Sequence, residues 1–338
     1  MATFADDIRP TPAPLPTVDR VLGGLGFAVL SAASFGLSGA LGKGLMGAGW
    51  TAGSVVLVRI AVGGLVLAVP AALALRGRWG LVRRNAGLLL AYGAVVVAGC
   101  QLAYFSAIEH LQVGVALLIE YTAPVAVVLW LWARHGHRPG RLTVLGAIVC
   151  AAGLLLVLDV VSGARLSVLG VGWALLAMLG AATYFVLSAD EDNGLPPVAL
   201  AGGGMVVGGA LLALSGLLGL VPMRFGTAAA SYGGLHVAWW VPLVLLGVVT
   251  AAVAYWSGIA ASRRLGSRLA SFVALTEVLA ALLFAWALLG ELPRPVQFLG
   301  GALILAGVVV VKLGERDTAP AAGPIQGLAA PVSGHPGA

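Results

Sequence analysis

Three ionisable residues, Arg59, Glu120 and Glu277, sit inside long apolar runs. A charge at membrane depth costs on the order of 3 kcal/mol on insertion scales, so such a group faces a cavity or a partner and not lipid. Glu120 lies in VGVALLIEYTAPVAVVLWLW (Val113 to Trp132), next to Tyr121 and four residues before Pro124. Glu277 occupies a similar setting in SFVALTEVLAALLFAWALLG (Ser271 to Gly290). A carboxylate in a low-dielectric cavity can hold either a proton or a polar ligand, so these two acids are candidates for proton exchange and for binding. Glu277, nearer the middle of its run, is the preferred proton carrier. Glu120 shares that role and, with Tyr121, contributes to ligand binding. Arg59 has three readings: it holds an anionic ligand group, it pairs with a carboxylate, or it snorkels to the outer headgroups.

Neutral groups supply a second layer. Gln101, Tyr104, Phe105 and Ile108 follow i, i+3, i+4, i+7 spacing, which puts them on one helical face. Tyr255 and Trp256 occupy the matching place later in the chain. Gln101, Tyr104, Tyr255 and Trp256 are therefore counted with Arg59, Glu120 and Tyr121 as ligand-binding candidates, against the plainer reading of an aromatic stripe as packing. Pro124 has no N–H to give the carbonyl of residue 120, so it marks a hinge or a tolerated bend beside the acid. Ser31, Ser34 and Ser38, and small-residue series such as Gly36, Ala40, Gly44 or Ala302, Ala306, are expected to let helices approach closely.

The elements that must hold these residues follow from composition. Of 338 residues, 60% are hydrophobic and 9% charged, with a mean hydropathy of +1.03. That much apolar surface exceeds what one soluble core can bury, which defines a polytopic membrane protein. The formal charge of +6 falls in short segments between apolar runs, so it acts as a topology signal and not as a nucleic-acid surface. Cys100 and Cys150 lie within apolar runs and the five histidines are scattered, so neither a disulfide framework nor a metal site is expected. There is no HExxH, Walker lysine or GxSxG motif, and no cofactor or enzymatic activity is expected.

Ten apolar segments can be marked, at about 21–41, 52–75, 87–108, 113–133, 142–158, 167–188, 196–221, 238–260, 268–289 and 296–313. In lipid a helix satisfies its own backbone, so the expected fold is all-α with ten transmembrane helices. Residues 1–20 and 314–338 read as disordered tails. With the N-terminus in the cytoplasm, fourteen basic residues lie inside and four (Lys43, Arg165, Arg224, Arg294) outside, so both termini should be cytoplasmic.

The chain also repeats itself. AYFSAI (Ala103 to Ile108) returns as AYWSGI (Ala254 to Ile259), Glu120 as Glu277, and LGAIVCAAG (Leu145 to Gly153) as LGGALILAG (Leu299 to Gly307), at separations of 151, 157 and 154 residues. Two units, 21–158 and 167–313, each of five spans, must enter the membrane from opposite sides, which is an inverted repeat.

The Glu-Tyr-Thr-Ala-Pro run of the fourth span and the closing LLGELPRPVQFLGGALILAGVVVV resemble the drug/metabolite transporter superfamily, in its EamA-type branch. The resemblance covers roughly residues 21 to 313. It implies ten helices in two EamA repeats, a bacterial inner-membrane location and transport of a small metabolite. The fourth span is similar to that of threonine and homoserine exporters, a likeness that marks Glu120, Tyr121 and Pro124. One departure is that Gly290 and Glu291 have Arg134 and His135 at the corresponding place in the first half, which argues against a symmetric role for Glu291. The expected partners are a small-molecule substrate and membrane lipid, without nucleic acid, and a homodimer is the assembly allowed for. The leading expectation is an exporter of an amphipathic metabolite such as an amino acid, by proton antiport. Its rivals are a drug or cation exporter, a membrane enzyme acting on lipid-linked substrates, and a membrane scaffold.

Overall fold

A computed structural model describes residues 18–123, 125–126, 140–157, 167–188, 193–258, 261, 264, 273 and 275–314. The tail segments 1–17 and 315–338, Pro124, Arg134 and His135 lie outside the described residues.

The chain is mostly helical. In order, the apolar helices are α1 (Val18–Gly47), α2 (Ala52–Ala74), α3 (Ala86–Ile108), α4 (Val113–Glu120), α5 (Arg141–Val157), α6 (Val168–Ser188), α7 (Pro197–Leu217), α8 (Trp240–Gly258), α9 (Thr276–Leu289) and α10 (Pro295–Gly314). A short helix, Gly80–Arg84, precedes α3. Five of the described helices (α1, α2, α3, α7 and α8) are long and apolar enough to cross a membrane, and α5, α6, α9 and α10 contain shorter apolar stretches. Large apolar side chains such as Leu65, Val69, Leu169, Val206 and Leu279 are exposed around the perimeter, which is what a lipid solvent requires.

Glycine sets how closely the helices approach. Helices α5 and α10 run antiparallel, with Gly146 against Gly307 and Gly153 against Gly300. A Cβ on Gly153 would lie 2.6 Å from the Gly300 carbonyl oxygen. Ala302 and Ala306, expected to let helices approach closely, are exposed, because α10 turns its Gly300, Ile304, Gly307 and Val311 face to α5. Helix α7 packs antiparallel on α2, with Gly202 beside Ala71 and Gly209 beside Ile60. Gly36 seats α1 against Ala281 of α9, as its small-residue series predicts. Helix α4 crosses α9 with Gly114 beside Leu282 and Tyr121 beside Glu277, again antiparallel.

These pairings have an internal logic. The remaining main contacts are α1 with α9 and α8, α3 with α6 and α7, α2 with α8, and α4 with α6. Exchanging every helix for the one five places along the chain maps each of these pairs onto another of them, while the contact of α2 with α3 has no counterpart of similar extent between α7 and α8 among the described residues.

Three features depart from the sequence reading. The fourth span does not run unbroken through 113–133: α4 ends at Glu120 and Tyr121 and Thr122 form a turn. The Thr122 hydroxyl donates to the Ile119 carbonyl at 2.7 Å, competing with the helical ladder. Second, α3 and α8 each contain π-helical turns, over Tyr92–Gly99 and Leu245–Val253. Third, a β-hairpin joins α7 to α8, with β1 (Ala230–Tyr232) antiparallel to β2 (Leu235–Val237). Its turn residues Gly233 and Gly234 have φ of +57° and +82°, the left-handed pair a two-residue hairpin needs.

Candidate functional site

The polar residues of the spans converge from five helices and from the turn that closes α4. Arg59 of α2 donates through Nη1 to Gln101 Oε1 of α3 at 3.0 Å and through Nη2 to the Thr250 carbonyl of α8 at 3.1 Å. Its guanidinium lies 5.6 Å from the Phe105 ring centroid. It is also within electrostatic range of Tyr255, Tyr104, Glu277 and Glu120. With only 6% of its surface exposed, Arg59 does not snorkel.

The acids are engaged separately. Glu277 Oε2 accepts the Tyr121 hydroxyl at 2.9 Å, a bond between α9 and the turn that closes α4. Glu120 Oε1 lies 3.8 Å from Cys100 Sγ, which also approaches the Ala177 carbonyl at 3.4 Å. Glu120, Tyr121, Glu277, Tyr255 and Gln101 are half-buried while Tyr104 is buried, so the acids and their neighbours line space that protein atoms do not fill. Tyr255 is held edge-on by Phe35 of α1, with centroids 5.2 Å apart.

The predicted residues divide as follows. Arg59, Gln101, Tyr104, Glu120, Tyr121, Tyr255 and Glu277 belong to one cluster drawn from both halves of the chain. Trp256 does not: it is 56% exposed and packs edge-on against Phe27 at 5.3 Å. Its place is set by helical geometry, since neighbouring residues point about 100° apart and Tyr255 already faces inward. Phe105 and Ile108 are fully buried packing residues. Ser31, Ser34 and Ser38 are buried, and Ser31 donates to the Ala254 carbonyl at 2.8 Å, tying α1 to α8. Pro124, the hinge candidate, lies outside the described residues.

A second polar group escaped the sequence reading. At the end of the bundle where α1 meets α2, Lys43 forms an ion pair with Glu291 of the α9–α10 connection. Lys43 also donates to the Leu111 carbonyl at 2.6 Å, and Glu291 Oε2 accepts the Val113 N–H at the start of α4 at 2.9 Å. Glu109 Oε1 accepts the Ala52 N–H at 3.1 Å in the same way. The hairpin adds to this end: the Tyr232 hydroxyl donates to the Leu41 carbonyl at 2.7 Å. Burial pushes the Tyr232 phenol well above its ordinary range, so it remains a donor. Charges at helix ends were the available signal for Lys43, Glu109 and Glu291, and the Gly-Gly between two short apolar stretches was the signal for the hairpin.

In a multi-pass helical bundle, charges buried between the spans mark a pathway or binding site for polar solutes. The model of the EamA-like transporter family matches residues 22–159 and 168–313, and the chain belongs to that family. Among curated proteins, it is 25% identical over 244 residues to an uncharacterized inner membrane transporter, YicL, of Salmonella typhimurium, across 71% of this chain and 77% of that one. It is also 30% identical over 188 residues to a probable potassium transport system protein, Kup 1, of Chromobacterium violaceum. That match spans 48% of this chain but only 29% of the Kup protein, so it says little about the whole of either. A solved crystal structure superposes with a TM-score of 0.57 at 23% identity, over 90% of this chain and 99% of the other, which shows the fold alone.

Proposed function

We propose that this transporter is a ten-span secondary exporter of a small amphipathic metabolite such as an amino acid, driven by proton entry. The observation that carries the reading is the cluster of Arg59, Gln101, Tyr104, Glu120, Tyr121, Tyr255 and Glu277, contributed by both halves and facing unfilled space. Sites of secondary transporters lie between two repeats near the bilayer midplane.

The repeats are inverted in this reading. The pairs that join equivalent helices, α2 with α7, α4 with α9 and α5 with α10, all run antiparallel. A two-fold axis that maps a helix onto an antiparallel partner lies across the helices, in the membrane plane. Both termini are then cytoplasmic, and the end carrying Lys43, Glu109 and Glu291 faces outward.

Substrate binds between Glu120, Tyr121, Tyr104, Tyr255, Gln101 and Arg59, while Glu277 carries the coupling proton with Glu120 in support. Protonation of Glu277 weakens its bond from Tyr121 by removing the negative charge and lowers affinity for a cationic ammonium group. Proton entry from outside therefore releases substrate there. Losing the proton inside restores the bond and the affinity. The two halves rock about the site to expose it alternately.

The test is flux in proteoliposomes with and without an imposed pH gradient. Glu277→Gln mimics the protonated state, so the variant should insert normally and lose gradient-driven flux by about tenfold or more, an effect of about 1.4 kcal/mol on the barrier. Full gradient-driven flux in both Glu277→Gln and Glu120→Gln would remove both acids from the coupling step.

A further inference from the structure

Arg59 carries a full positive charge. More than nine-tenths of the residue is buried, and its Nε has no hydrogen-bond partner. The guanidinium has five N–H donors. The acceptors that meet it are neutral: the amide oxygen of Gln101 and the main-chain carbonyl of Thr250. Among the described residues, no carboxylate lies within ion-pair distance of it. Glu120 and Glu277 stand further off, the first beside Cys100 and the second bonded to Tyr121.

A buried cation satisfied only by neutral groups is incomplete. An unpaired buried donor costs about 1–3 kcal/mol, and more when it is charged. A carboxylate offers shorter and roughly twice as strong bonds as a neutral oxygen does. Gln101, the acceptor on Nη1, is itself half-buried, so its place is reachable from outside the packed core.

From this we infer that Arg59 is the docking group for a carboxylate on the transported molecule. The inference rests on the proposed substrate site and adds which substrate group must be present and where it binds. The incoming carboxylate takes the place of the Gln101 oxygen and meets the guanidinium end-on, across Nη1 and Nη2. Gln101 and the Thr250 carbonyl are positioning groups, holding the guanidinium plane in the empty state. Phe105 backs the guanidinium.

The arrangement is one-sided. Helix α7 holds the place in the second half that α2 holds in the first, and the match of Val62-Gly63-Gly64 with Val207-Gly208-Gly209 puts Gly204, which has no side chain, where Arg59 stands. The positive charge thus lies on one side of the cavity and the two acids and Tyr121 on another. A bound molecule is oriented with its carboxylate toward α2 and α8.

The test uses full-length protein in nanodiscs and matched probe sets in which one side chain is kept: leucine, leucinamide and isopentylamine, and the corresponding phenylalanine and threonine sets. Dissociation constants are read from tryptophan fluorescence, with thermal unfolding as a check on folding. In at least one set the amino acid should bind about tenfold or more tighter than its amide and its amine, the equivalent of one charge-assisted hydrogen bond. Arg59→Met should abolish that preference. Arg59→Lys, which keeps the charge but not the planar donor set, should weaken the acid about tenfold and leave the amine unchanged. It also serves if the methionine variant fails to fold. Arg78→Gln, at an exposed site in the α2–α3 connection, should change nothing.

Equal binding of acid and amide, no binding by any of the three acids, or an acid preference undiminished in Arg59→Lys would overturn the inference. The two readings separate cleanly. An Arg59-dependent acid preference without gradient-driven flux keeps the docking role and removes antiport. Gradient-driven flux of amines with no acid binding does the reverse.

Discussion

Helices α5 and α10 and helices α4 and α9 each form an antiparallel pair that joins one half of the chain to the other, yet they are built from opposite materials. In α5–α10, glycines bring backbone against backbone, and the polar contacts are few: Cys150 with the Ile304 carbonyl at 3.4 Å and Gln297 with the Val157 carbonyl at 3.0 Å. In α4–α9 side chains make the contact, the end of Leu282 against the backbone at Gly114 and Glu277 with Tyr121. A backbone contact has no rotamers to adjust, so the first pair is a fixed fulcrum. Side chains can exchange partners, so the second pair can change its contacts when a proton or substrate arrives. Helix α4 is also secured at its start, where Glu291 caps its first turn and Lys43 completes the ion pair.

The strongest way to break this comparison is to add one methyl group to each pair. In Gly300→Ala the new Cβ would lie 2.6 Å from the Gly153 carbonyl oxygen and 2.7 Å from the Val157 nitrogen. Overpacking of that kind should destabilise by about 3 kcal/mol, visible as a lowered unfolding temperature in detergent. Gly114→Ala meets a leucine side chain that can rotate away, and should cost less than about 1 kcal/mol. Equal tolerance of the two would mean that backbone contact does not fix α5–α10.

Glu291→Gln tests the tethered end of α4. It removes the ion pair with Lys43 and weakens the cap on Val113, a loss of about 1–2 kcal/mol for charged hydrogen bonds. Cysteines placed near Leu111 should then react faster with a membrane-impermeant maleimide added from outside. An unchanged rate would show that the tether does not hold that end closed.

Tyr121→Phe should have the smallest effect. It removes the hydroxyl that donates to Glu277, worth about 1 kcal/mol, and should slow gradient-driven flux about fivefold while leaving the unfolding temperature within error. A large loss of stability would place Tyr121 in the packing and not in the working contact.

Much of this was legible in the sequence because membranes simplify the code. Long apolar runs gave the helices, and a repeat in which Tyr104 answers to Tyr255 and Glu120 to Glu277 gave the two halves. Buried charge in an apolar run singled out Arg59, Glu120 and Glu277 without reference to any partner. What stayed hidden depends on direction or on distant pairing. Tyr255 and Trp256 are equally aromatic, and only the rotation of α8 decides that one faces Phe35 and the other the perimeter. Lys43 and Glu291 are far apart in the chain, so no periodicity joins them. The turn at Tyr121 was hinted at by Pro124, but an apolar run reads as continuous whether or not its backbone is.

The wide turns of α3 and α8 have a consequence for anyone aligning relatives of this chain. A stretch of i→i+5 bonds holds more residues per turn than an α-helix, so it can lose one residue and close up into ordinary α-helix with little change in height. The wide turns absorb the lost residue, so everything beyond that point keeps roughly its direction. A single-residue gap within 92–99 or 245–253 would thus leave position 104 or 255 facing the interior, whereas the same gap in a regular α-helix would turn it by about 100°. At these two places a gap belongs to the physics of the helix, and closing it in an alignment would assign the ligand-facing side to the wrong residues.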